Sequence, residues 1–149
     1  MSKILVIDTQ GPAISKEYAA LLPGLALSGV EPDGLVGKPC QEHGALCGWL
    51  AGAPMQALGH GGEIKFVRVF DEQARFVAED KWILAQIRAE AELLKPGQHL
   101  YLSRSWGAWD QDTSQGEMFG RIAGQEFAAG LIDLQKQFPI VDFGAAGNN

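Results

Sequence analysis

The chain has 149 residues, enough for one domain that buries about two-thirds of its unfolded surface if it packs alone. With 46% hydrophobic and 20% charged residues it has an ordinary globular composition, and its net charge of −6, with both signs interspersed, argues against nucleic acid or an anionic membrane as partner. No apolar run approaches a membrane span, and Met1-Ser2-Lys3-Ile4 leads into strand-like sequence without the basic head and apolar stretch of an export signal, so the expected compartment is the cytoplasm.

Lys3 to Ile7 is a short run of Leu and β-branched residues broken by Asp8-Thr9-Gln10-Gly11-Pro12, the pattern of a buried parallel strand that ends in a loop. Ser15 to Leu22 has helical composition and stops at Pro23-Gly24, and Leu25 to Val30 is a second strand candidate. A Gly/Pro-rich loop over 31–41 then delivers His43 to a helix expected to run to about Ala53 and to end at Pro54. Glu63 to Phe70 is the clearest strand, with strong β formers in partial alternation. Glu79 to Leu94 places Ile83, Ile87, Ala91 and Leu94 on one helical face, with Pro96-Gly97 as the stop.

Leu100 to Ser105 reads as a strand that breaks at Gly107. Ser114 and Glu117 have capping-box spacing and open a helix to about Phe138, with Phe119, Ile122, Phe127, Leu131 and Leu134 inward. Gly120, Gly124 and Gly130 would each weaken it by roughly 1 kcal/mol relative to Ala unless they permit close packing on the sheet. Pro139 ends it, and Ile140-Val141 begins a last strand that leads through Asp142 and Phe143 into Gly144-Ala145-Ala146-Gly147-Asn148-Asn149. The alternation of strands and helices predicts one α/β domain over 1–149, a doubly wound parallel sheet.

Three stretches stand out together. Val6-Ile7-Asp8-Thr9 ends a strand in an acid, His43-Gly44-Ala45-Leu46-Cys47-Gly48 opens a helix with a histidine, and Ala145-Ala146-Gly147-Asn148 follows an apolar strand. In this order they resemble the first part of the catalytic domain of the subtilisin-like serine proteases, over nearly the whole chain. The resemblance implies that Asp8 holds the ring of His43, that His43 is the general base toward a serine, and that Asn148 donates to the oxyanion. It also implies that Ser105, Trp106 and Gly107, within Ser103-Arg104-Ser105-Trp106-Gly107, occupy the strand that pairs with an extended polypeptide substrate. No cofactor and no metal are implied.

The sequence departs from the family at Ala45 and Leu46, where Thr and a second His are usual, at Gly48 in place of Ala, and at Trp106 in place of Leu. Cys47 matches a thiol that the proteinase K-like subfamily carries beneath its histidine. Cys40, His43 and Cys47 together form a possible metal-ligand set, but only His43 and Cys47 share a helix face and no fourth ligand is evident, so reduced thiols, with Cys47 buried, are the expectation. The family's nucleophile lies in a Gly-Thr-Ser-x-Ala segment that this sequence does not contain, so the fold is expected to be incomplete on its C-terminal side. Two functions follow from the resemblance. One is a serine endopeptidase portion completed by a Ser-bearing segment or chain, which retention of the Asp, His and Asn trio favours. The other is an inactive pseudoprotease acting as a binding or structural subunit, which the departures favour. A fragment of a longer enzyme is a third possibility. The first two require a complementary polypeptide or self-association to cover the exposed sheet edge.

Overall fold

The computed structural model describes residues 2–40, 42–59, 61–104 and 126–144. Strands β1 (Ser2–Asp8), β2 (Leu25–Val30), β3 (Gly62–Arg68), β4 (Leu100–Arg104) and β5 (Ile140–Gly144) form one sheet in the order β2-β3-β1-β4-β5, parallel throughout. Helices α1 (Lys16–Ala20), α2 (His43–Ala57) and α3 (Asp80–Glu92), with α4 over 126–137, make the crossovers, as the α/β reading expects.

A strand at the centre of such a sheet is covered on both faces, which is why β1 reads as an unbroken apolar run rather than an alternation. Leu5 and Ile7 face one way, into a cluster with Val67, Leu102, Ile83, Ile87 and Leu131. Ile4 and Val6 face the other way, with Ile64, Phe66 and Leu22, against Tyr18 of α1 and Cys47, Ala51 and Met55 of α2. The inward positions expected on α3 and α4 are found: Ile83, Ile87 and Ala91, and Phe127, Leu131 and Leu134, are buried. Phe119 and Ile122 lie outside the described residues. Gly130 permits close packing, though against α3 rather than the sheet, since a Cβ there would run into Leu84, and Gly120 and Gly124 lie outside the described residues.

One boundary differs in an informative way. Helix α2 does not stop at Pro54 but carries it in its last turn, where the Pro54 carbonyl accepts from the Leu58 N–H at 3.1 Å. The extra turn brings Met55 against the Ile4–Phe66 cluster, and that packing outweighs the hydrogen bond the proline removes.

Among the described residues buried charge is confined to a few places. Glu90 of α3 receives Lys3 at 2.8 Å and Lys65 at 2.6 Å, from adjacent strands. Burial works against its charge, but the hydrogen bonds and charges of the two lysines outweigh it and hold the carboxyl below the usual range. A carboxyl that binds its proton less tightly when folded stabilises the fold above its unfolded value, about 4.3 for Glu, and loses that contribution as pH falls through the folded value. Urea midpoints are therefore expected to drop on acidification below about pH 4.3, and Glu90→Gln to flatten that limb. Equal acid slopes in the two proteins would show that Glu90 does not set them.

Candidate active site

Asp8 is the last residue of β1, at the carboxyl edge of the sheet where open α/β folds gather functional groups. It is 2% exposed, so its carboxylate needs donors. The backbone N–H of Thr9 donates to Oδ1 at 2.7 Å, and Nδ1 of His43 lies 3.0 Å from both Oδ1 and Oδ2. A carboxylate only accepts, so this contact selects the imidazole tautomer with its proton on Nδ1 and leaves Nε2 as the basic nitrogen. The His43 side chain is 46% exposed, which gives the ring a solvent-facing side.

His43 is brought there by two local devices. It is the first residue of α2, whose N-cap Glu42 makes no side-chain capping bond; Thr9 Oγ1, just after β1, takes that role, accepting from the Gly44 N–H at 3.0 Å. Glycines at 44, 48 and 52 then line the helix face against the sheet. A Cβ on Gly44 would lie 2.7 Å from the Gln10 nitrogen and 3.1 Å from Asp8 Cβ, and one on Gly48 would lie 2.5 Å from Phe66 Cε1. Only a helix without side chains on this face comes close enough for the short Asp8 and His43 side chains to meet.

One turn along α2, Cys47 Sγ sits 3.8 Å from His43 Nδ1 and 4.0 Å from Asp8 Oδ2. The thiol is partly rather than fully buried and is not in a disulfide. The metal-ligand set suggested by spacing is thus recast: Asp8, not Cys40, is the third group beside His43 and Cys47.

The loop leading to His43 is held by Arg68, the β3 residue opposite Asp8. Its buried guanidinium donates to Glu31 Oε2 at 3.0 Å, to the carbonyls of Gly37 at 3.0 Å and Lys38 at 2.9 Å, and through Nε to the Phe70 carbonyl at 2.9 Å. Arg68 was not singled out from sequence, and Thr9 entered only as the last residue of the Val6-Ile7-Asp8-Thr9 stretch, with no role of its own. The only available signal for Thr9 is its place directly after a strand-terminal acid.

Asn148 and the Ser105, Trp106 and Gly107 stretch lie outside the described residues. On the sheet face that carries α2, a groove of about 370 Å³ is lined by Ile4, Leu50, Pro54, Tyr101, Ser103 and Phe143, and neither Asp8 nor His43 lines it. Leu50 and Phe143, on its two sides, are 64% and 62% exposed. No helix among the described residues is long and apolar enough to cross a membrane. No protein-family model, no curated protein and no solved structure matches the chain.

Proposed function

We propose that this chain is the Asp/His portion of a subtilisin-like serine endopeptidase, acting on polypeptides when a further segment or a second chain supplies the nucleophilic serine. The observation that carries this reading is the buried Asp8 carboxylate holding Nδ1 of a half-exposed His43 at 3.0 Å. In that arrangement Nε2 takes the serine proton during attack on the peptide carbonyl and returns it to the departing amine, while Asp8 stabilises the imidazolium between the two steps. Asn148 is assigned the oxyanion donor and Ser105 to Gly107 the substrate-pairing strand on the resemblance alone.

The apolar groove between α2 and β4–β5 supports a partner element seated on the sheet face that carries α2, because exposed Leu50 and Phe143 leave its walls open to water. The same feature favours the second reading, an inactive subunit that uses this face for assembly. Both readings place a polypeptide in the groove and differ in whether it brings a serine.

The discriminating experiment is to purify the native assembly through this chain and treat it with a fluorophosphonate probe, which reacts with activated serines. The expected label falls on a serine outside these 149 residues, disappears with His43→Ala, and is absent from the chain alone. An assembly that neither takes up the probe nor cleaves peptides would sink the peptidase reading in favour of the inactive subunit.

A further inference from the structure

The three side chains at the start of α2 meet a second chemical requirement. Asp8 Oδ2, His43 Nδ1 and Cys47 Sγ form a triangle with sides of 3.0, 3.8 and 4.0 Å. Zinc binds carboxylate oxygen and imidazole nitrogen at about 2.0–2.2 Å and thiolate sulfur at about 2.3 Å, so three corners of its tetrahedron are separated by roughly 3.3–3.6 Å. The triangle matches to within about half an ångström, and a point just above its plane, where a tetrahedral ion sits, lies about 2.2 Å from all three atoms, close to those bond lengths. Two of the ligands are four residues apart on one helix and the third ends a central strand, so the glycine-lined contact that forms the Asp8–His43 pair also gathers the metal ligands.

We propose that Asp8, His43 and Cys47 bind Zn²⁺, and that the ion and the Asp8–His43 hydrogen bond exclude one another. The mixed oxygen, nitrogen and sulfur set suits zinc rather than magnesium or calcium, which take oxygen ligands. The ion needs the lone pair of Nδ1, so the ring proton moves to Nε2. Cys47 binds as thiolate, and one proton is released to solvent for each ion taken up. With Nε2 protonated and Nδ1 ligated, His43 has no basic nitrogen left. Zinc is thereby a reversible off-switch for the pair, a consequence that rests on the peptidase reading, whereas the binding site itself does not. Solvent on the exposed side of His43 gives the ion an entry path and a fourth ligand.

The test titrates the full chain with Co²⁺ as a spectroscopic substitute for zinc. Expected are a thiolate-to-cobalt charge-transfer band and the visible bands of a tetrahedral ion at one equivalent, both displaced by Zn²⁺. Cys47→Ser should abolish the charge-transfer band and Asp8→Asn should weaken binding at least tenfold. Cys40→Ser should leave both unchanged, with circular dichroism verifying each fold. In parallel, the downfield NMR resonance of the His43 Nδ1 proton should vanish on saturation with zinc. Absence of the band, its persistence in Cys47→Ser, or an Nδ1 resonance that survives saturation overturns the proposal, as does an active assembly that zinc does not inhibit. Cobalt bound through Cys47 in an assembly without peptidase activity supports the site and counts against the peptidase reading alone.

Discussion

Asp8→Asn is expected to lower turnover of the completed peptidase by about 10⁴-fold while leaving the Michaelis constant and the fold nearly unchanged. The size of the effect follows from the tautomer. The carboxylate at 3.0 Å from Nδ1 only accepts, and so fixes the proton there and the lone pair on Nε2. An amide in the same place offers N–H to Nδ1, which favours the opposite tautomer and turns a proton toward the serine where a lone pair is needed. It also removes the charge that stabilises the imidazolium. The remaining oxygen still accepts from the Thr9 N–H, so the bend after β1 survives. Measuring turnover and the Michaelis constant separately in the native assembly distinguishes this from a folding defect. A loss of less than tenfold in turnover would show that Asp8 does not govern the state of His43.

Much of this arrangement was readable from residue order, and the part that was not has a common cause. The apolar run of β1 and the spacing of Ile83, Ile87 and Ala91 are local signals, because each depends only on how one element presents its faces. Asp8 ending a strand and His43 opening a helix are local too. That Cys47 lies one turn beyond His43 follows from helical periodicity. Its approach to Asp8 does not, since it requires the depth to which α2 sinks onto the sheet, and that depth is set by Gly44, Gly48 and Gly52 against Gln10, Phe66 and Ile64. Pro54 misleads for the same reason: its local penalty is readable, whereas the burial of Met55 that offsets it is a property of the packed sheet. Glu90 and Arg68 look like ordinary charged positions on a helix and a strand. Only the third dimension supplies the lysines and carbonyls that make their burial possible.

Arg68 carries the second large effect. Arg68→Met is expected to destabilise the fold by about 3 kcal/mol, and for a chain of this size to lower the melting temperature by about 6–12 °C. The guanidinium is 3% exposed and spends its donors on four groups from three places: Phe70 after its own strand, Glu31 after β2, and Gly37 and Lys38 in the loop before His43. Methionine fills much of the volume but donates to none of them. The Gly37, Lys38 and Phe70 carbonyls then lose a charge-assisted donor, at about 1–3 kcal/mol for each one that water does not reach. Glu31 is 30% exposed, so its loss of a counter-charge is softened by solvent and adds less. Lysine is not expected to rescue, because one ammonium cannot span the fork that serves loop and strand at once. Slackening of residues 31–38 should also reach the site, since that loop sets where α2 begins. The expected signature is therefore double: a lowered urea midpoint, and a broadened or shifted Nδ1 proton resonance of His43 under conditions where the fold is intact. A variant within about 1 kcal/mol of the parent, below the cost of one unmade buried hydrogen bond, would show that water replaces the guanidinium and that the loop does not depend on it.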